Sequence, residues 1–242
     1  MDTAAAVVIG GGPVRTPARE YGIVVAADSG LDEALAAGFT PTVLVGDLDS
    51  VSVSGMRWVA EHETPVHVHS ADKDATDTAL ALETAVRLGA VSVDVYGATG
   101  VARLDHLLGT LAALGDPVLH ELAHLRAFLD DGVVHVLHPG HTVELDLAAG
   151  ATFSLLALHG RCDGVDVTGA RWPLTRARLT PASTLGVSNV ATGPARVSVA
   201  GGVLTVVVPA APAAPAALGA SATVHATASA RTPFPRVATR LR

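Results

Sequence analysis

Cysteine is nearly missing from this sequence. Cys162 is the one thiol in 242 residues, so no disulfide can close within the chain, which fits a reducing compartment. Aromatic residues make up only 3% and charged residues 16%, against 49% apolar, so the core has to be built from Ala, Val and Leu. Basic residues are outnumbered, 16 Lys and Arg to 23 Asp and Glu, for a net charge of −7. A general nucleic-acid-binding surface needs a basic patch and is not expected. A small anionic substrate stays open, because a bound metal ion reverses the local sign. No unbroken apolar run reaches the roughly 18 residues that a membrane-spanning helix needs. The apolar run at residues 4–9 has no basic segment before it, and the first charge is Asp2; it reads as a strand and not as a signal peptide. The expectation is a cytoplasmic protein with no membrane association.

What is present alternates. Apolar runs at residues 4–9, 22–27, 40–46, 64–70, 92–100 and 125–131 read as strands. Between them, residues 31–38, 54–62, 74–88 and 104–114 carry helical spacing, with Gly38 and Gly89 as stops. Strands alternating with helices predict an α/β layer with a mostly parallel sheet, whose ligands bind beyond the carboxyl ends of the strands. From about Val133 the pattern becomes short alternating runs separated by Gly, Pro, Asn and Asp, the signature of an antiparallel β-sandwich or barrel. The predicted organisation is an α/β domain over residues 1–130, an all-β sandwich over 131–208, and an Ala/Pro-rich disordered tail over 209–242.

Three short motifs carry chemistry. In Gly46-Asp47-Leu48-Asp49-Ser50 two carboxylates follow a buried strand with no basic neighbour in sequence. Residues two apart in an extended segment point the same way, so Asp47 and Asp49 can share one cation. Oxygen ligands of this kind suit Mg²⁺, which takes one or two carboxylates plus substrate phosphates. The plainer reading is a solvated turn with capping Asp. The second motif, Asp72-Lys73-Asp74-Ala75-Thr76-Asp77, opens a helix. Helix capping by Thr76 or Asp74 explains one or two acidic residues there; a lysine, a hydroxyl and several carboxylates at one helix start can also hold a phosphate chain and its metal. The third, Arg103-Leu104-Asp105-His106, follows a glycine turn, Gly97–Gly100. The arginine can clamp a phosphate bidentately, Asp105 can ligate metal or act as a base, and His106 can hydrogen-bond phosphate. Together these are the parts of phosphoryl transfer.

In this order and spacing the motifs resemble those of the thiamine pyrophosphokinase family. The family's pattern has a D-G-G turn, G-D-x-D-S, K-D-x-T-D, G-x-R-x-D-H and a late S-N. Here these read Asp28-Ser29-Gly30, Gly46 to Ser50, Lys73 to Asp77, Arg103 to His106, and Ser188-Asn189, over about residues 4 to 208. The resemblance implies an Mg²⁺-dependent transfer of pyrophosphate from ATP to the hydroxyl of thiamine, giving thiamine diphosphate and AMP. It implies that Asp47, Asp49, Asp74, Asp77 and Asp105 surround metal and reacting phosphates, with Asp47, Asp49, Asp74 and Asp77 as the metal set. Asp28, Ser50, Lys73, Thr76, Arg103 and His106 would bind ATP and its phosphates, and Ser188 and Asn189 thiamine, in a homodimer. This chain departs from the pattern at Ser29, Leu48, Ala79 and Ala102, none of which removes a carboxylate. Trp172 matches a family segment and reads first as a core or interface anchor.

Two other readings compete: a pyrophosphokinase for a different alcohol, such as a hydroxymethyl-pterin, and a non-catalytic nucleotide-binding relative. The Ser188-Asn189 pair favours thiamine, and the retained carboxylates favour an enzyme. His120 and His124 read as a polar helix face, His67 and His69 as structural strand residues, and Cys162 as an unactivated thiol in a loop. Gly10-Gly11-Gly12 can approach phosphates, but a bare glycine run carries little weight.

Overall fold

The structure, a computed structural model, describes residues 3–70, 74–97, 104–129 and 132–210. Six strands, β1 (Ala4–Ile9), β2 (Ile23–Ala27), β3 (Val43–Gly46), β4 (Val66–Val68), β5 (Ser92–Tyr96) and β6 (His124–Leu129), lie parallel in the order β6-β5-β1-β2-β3-β4. Of the central members, β1 and β2 are apolar throughout and β5 is buried throughout but carries Ser92 and Asp94, as parallel strands covered on both faces are mostly apolar. Ala, Val and Leu dominate that core, as the scarcity of aromatics requires. Helices α1 (Gly30–Ala37), α2 (Val53–Glu61), α3 (Asp77–Arg87) and α4 (Leu104–Ala113) follow β2, β3, β4 and β5.

Local signals explain the helix ends. Gly38 takes a left-handed φ of 90° and its N–H closes α1 on Ala34 and Leu35. Ser52 caps α2, its Oγ accepting the Gly55 N–H at 2.9 Å. α3 begins at Asp77 and not at residue 74, because Thr76 is extended (ψ 156°) and its hydroxyl accepts the Ala79 N–H at 3.2 Å. Gly30 lets α1 lie against β1, since a Cβ there would come within 2.3 Å of the Val8 carbonyl oxygen.

The remaining strands, β7 (Gly132–Leu137), β8 (Thr142–Leu145), β9 (Thr152–Leu156), β10 (Cys162–Ala170), β11 (Leu174–Leu179), β12 (Asn189–Ser198) and β13 (Leu204–Pro209), pair antiparallel. The change of pattern expected near residue 130 coincides with the β6–β7 reversal, yet the ladder continues through it as β5-β6-β7-β13-β9. β12 serves three pairings: Asn189 and Val190 pair with β9, Ala195–Ser198 with β8, and Ala191 and Arg196–Ser198 with β10 on the other edge. A second core of Phe153, Leu155, Val165, Val197 and Leu204 fills this part.

Two readings are corrected. His120 and His124 share no helix: His120 follows a single 3-10 turn, Pro117–Leu119, and His124 opens β6. The chain enters the sheet directly after that turn, the Ala123 N–H donating to the Val91 carbonyl at 2.9 Å, so no α-helix continues through His120 and His124. Cys162 is not in a loop but starts β10, buried, with its Sγ 3.2 Å from the Val203 carbonyl. Burial pushes its thiol up to about 11, so it is an inert core group. Of the tail, residues 211–242 lie outside the described residues.

Candidate functional site

The site grows from the carboxyl ends of β1, β2 and β3. Asp28 follows β2 with a left-handed φ of 47°, a conformation Asp tolerates better than most residues. Its N–H donates to the Val45 carbonyl (2.8 Å) and its own carbonyl accepts the Leu31 N–H (3.0 Å). One residue thus ends β2, ties it to β3 and starts α1. Gly46 ends β3 with φ 151°, and a Cβ there would stand 3.0 Å from the Asp28 Cβ. Glycine therefore lets the two strand ends close.

Beyond Gly46 the chain turns. Leu48 has φ 70°, and the Asp49 N–H donates to Asp47 Oδ1 at 3.2 Å. Asp47 and Asp49 are brought together by this turn and not by an extended segment. The Ser50 hydroxyl donates to Asp28 Oδ2. The result is a trio: Asp28, Asp47 and Asp49 each present a carboxylate oxygen within 4.8 Å of the others. Asp28 Oδ1 is buried and has no hydrogen-bond partner among the described residues. The charge of Asp47, then desolvation, then the charge of Asp28 hold the Asp49 carboxyl above its ordinary value, and Asp77 adds to this. Three converging oxygen donors, mutual repulsion and an unsatisfied carboxylate oxygen fit a hard divalent cation.

A cavity of about 690 Å³ adjoins the trio, lined by Gly10, Gly11, Asp28, Ser29 and Ser50, by Thr76, Asp77 and Thr78 of the α3 start, and by Asp105, His106 and Thr110 of α4. A Cβ on Gly10 would meet Ser29 Oγ at 2.0 Å, so the glycine run has a packing reason as well as a place in the cavity. The start of an 11-residue helix beside a carboxylate trio is suited to a phosphate chain carried with its cation.

Of the residues read from sequence, Asp28, Ser50, Thr76, Asp77, Asp105 and His106 line the cavity, and Asp47 and Asp49 join Asp28 in the trio. Asp74 is exposed and belongs to neither group. Lys73 and Arg103 lie outside the described residues. Asp28 as a cation ligand was missed, since only the β2–β3 pairing brings it to Asp47. The apolar walls Ile9, Ala27 and Leu129 and the hydroxyl of Thr110 were missed too, because no motif marks them.

Ser188 and Asn189 sit at the start of β12. Ser188 is exposed with φ 58°, and its N–H donates to Ser154 Oγ at 3.0 Å. Asn189 is 3% exposed, and its amide is spent on the backbone: Nδ2 donates to the Trp172 carbonyl (2.8 Å), and Oδ1 accepts the Trp172 and Val190 N–H groups (3.2 and 2.9 Å). Trp172 is 52% exposed, so it is no core anchor. It is held by that backbone clamp and by the Arg171 guanidinium 4.9 Å from its ring centre.

Comparison with known proteins agrees with this architecture. Residues 16–125 match the family model "Thiamin pyrophosphokinase, catalytic domain" and residues 140–204 match "Thiamin pyrophosphokinase, vitamin B1 binding domain". The thiamine pyrophosphokinase of Bacillus subtilis (strain 168) is 29% identical over 171 residues, 70% of this chain and 78% of that protein. Among solved structures, that of thiamine pyrophosphokinase from Bacillus subtilis superposes with a TM-score of 0.70 at 24% identity, over 86% of this chain and 99% of the other. Thiamin pyrophosphokinase from Candida albicans gives 0.67 at 12% identity, over 86% and 89%; at these identities the two structures speak for the fold. With both family models matched in order along one chain, the chain belongs to the thiamin pyrophosphokinase family.

Proposed function

We propose that this chain is an ATP:thiamine diphosphotransferase, transferring pyrophosphate from ATP to the hydroxyl of thiamine to give thiamine diphosphate and AMP. The observation that carries the reading is the Asp28–Asp47–Asp49 trio, joined through Asp28 to the cavity of about 690 Å³, on a chain of this family. Mg²⁺ is the cation we assign to the trio, with Asp77 at its edge. When bound, it offsets negative charge on the phosphates. Asp74 is exposed and outside the trio, so its part is at most in the outer shell of the site.

The chain's own groups divide the remaining work. Thr76, Ser50 and the first amides of α3 bind and orient the phosphates. Lys73 and Arg103, the cations of the two motifs that carry Thr76, Asp77, Asp105 and His106, neutralise the triphosphate. Asp105 accepts the proton of the attacking hydroxyl, and His106 hydrogen-bonds the phosphate chain. We assign thiamine to the β-strand half, residues 131–208, with Ser188 offering a hydroxyl and Asn189 acting through the Arg171-Trp172 segment that it holds. We further propose a division near residue 130 into nucleotide-binding and thiamine-binding domains, a homodimer, and a cytoplasmic setting; among the described residues no helix is long and apolar enough to cross a membrane.

The test is AMP release by purified protein with ATP and Mg²⁺, with and without thiamine. Thiamine-dependent AMP together with thiamine diphosphate is expected. Cation-dependent ATP binding without thiamine-dependent AMP would overturn the acceptor while keeping the nucleotide site.

A further inference from the structure

A second cleft, of about 470 Å³, opens at the opposite ends of the strands. β6 shows the separation, with His124 at its start lining this cleft and Leu129 at its end lining the catalytic cavity. Asp94 of β5, Arg126 of β6 and His135 of β7 are paired in register, forming one row across the sheet. Side chains two apart share a face, so Ser92 and His124 extend the same polar surface. Arg19, from the loop after β1, closes over it and completes the lining with His141 and Glu144.

The charges of this cleft do not balance. Asp94 is 1% exposed. Arg126 grips it with Nε and Nη2, both at 2.8 Å, and Arg19 Nη2 stands 3.2 Å from the same carboxylate. The Tyr21 hydroxyl donates to it at 2.8 Å. One buried carboxylate thus holds two guanidiniums in place, and their side chains remain 42% and 34% exposed. Nη1 of each makes no hydrogen bond among the described residues. Glu144, at the rim, is already paired with Arg196 at 2.5 Å. Burial and the Arg126 charge lower His135 to about 4, which leaves it a neutral hydrogen-bonding group near pH 7. Two guanidiniums held on one buried acceptor, each with Nη1 unused among the described residues, suit a phosphate, whose several oxygens can meet both at once.

We propose that this cleft is an anion site for a small phosphate-bearing molecule, separate from the catalytic cavity, with Arg19 and Arg126 clamping the phosphate and His124 and His141 contacting it from the rim. The ligand is inorganic pyrophosphate or an organic diphosphate, which share this chemistry.

The test is calorimetric titration of the full chain with inorganic pyrophosphate and, separately, with thiamine diphosphate, both in EDTA so that the carboxylate trio holds no cation. Binding is expected to weaken at least tenfold in Arg19→Met and in His124→Ala, and to be unchanged in Asp49→Asn. The His124 side chain is exposed and its imidazole makes no side-chain hydrogen bond among the described residues, so its variant reports on the ligand and not on folding. The imidazole NMR signals of His124 and His141 should move on titration. Binding of thiamine diphosphate alone, with the same variant sensitivity, would identify the organic source. Binding of neither probe, equal binding in all variants, or loss only in Asp49→Asn would overturn the site. AMP formation at saturating substrates should be unchanged in His124→Ala, which keeps this result independent of the catalytic reading.

Discussion

Asp49 shows how much one residue carries. It is exposed, and its carboxyl is raised chiefly by Asp47 and then by desolvation and Asp28. A cation relieves that repulsion, so Asp49→Asn should lower the rate of thiamine-dependent AMP release by at least about 100-fold, near 2.7 kcal/mol in barrier, while the circular dichroism spectrum stays native. The same group sets a pH signature. A folded-state value above the ordinary one means that protonation is favoured in the fold and opposes cation binding. Mg²⁺ should therefore raise the thermal midpoint at pH 7, by less as pH falls through the Asp49 titration, and by little in Asp49→Asn. An equal Mg²⁺ shift in wild type and variant would remove Asp49 from the cation site. Asn189 works differently, through three hydrogen bonds to backbone. Asn189→Leu leaves the Trp172 backbone groups without those partners, at about 1–3 kcal/mol. Steady-state kinetics should show a raised KM for thiamine with the KM for ATP unchanged.

At the scale of elements, two glycines and a cap place the site. Gly30→Ala would drive a Cβ to 2.3 Å from the Val8 carbonyl oxygen, an atom of the central strand that cannot move aside. α1 must shift from β1, carrying Asp28 at its start. A loss of about 1–3 kcal/mol is expected by urea unfolding, together with weakened ATP binding. Thr76→Ala removes the α3 cap, worth about 1 kcal/mol, and takes a hydroxyl from the cavity wall. Its effect on stability should be smaller than that of Gly30→Ala, and its effect on nucleotide affinity comparable. The element pattern itself was readable: the strand runs and helical stretches fall within a few residues of the observed ones. The α3 start was misplaced by three residues because acidic residues before a cap resemble a first turn until the Thr76 hydroxyl is seen closing on Ala79.

Across the whole molecule, buried histidines add an acid-sensitive component to the fold. His138 is 1% exposed and neither ring nitrogen has a hydrogen-bond partner among the described residues. Burial first, then the neighbouring His120, His141 and His159, lower it from 6.5 to about 4. The unfolded chain takes up this proton near pH 6.5 and the fold only near pH 4, so stability is full above pH 6.5 and declines as the pH falls between those values. The linkage is about 3 kcal/mol for this group, and His135, also lowered to about 4, acts in the same direction. Urea midpoints should drop steeply from pH 7 to pH 4.5, and His138→Leu should flatten that slope. An unchanged slope in the variant would place the acid sensitivity elsewhere.

Sequence by itself determined the alternation of strands and helices, the turn to antiparallel pairing near residue 130, and the acidic and glycine motifs at strand ends. Each of these is a local matter of periodicity, turn chemistry and capping. Only the tertiary structure decided which motifs meet. The β2–β3 pairing brought Asp28 to Asp47 and Asp49, and the Leu48 turn, not strand alternation, made the latter two converge. It left Asp74 outside, turned Asn189 inward onto Trp172, and set Asp94, Arg126 and His135 in one row from three strands. Such contacts depend on strand order and register, which join residues far apart in the chain; local pattern carries no record of them.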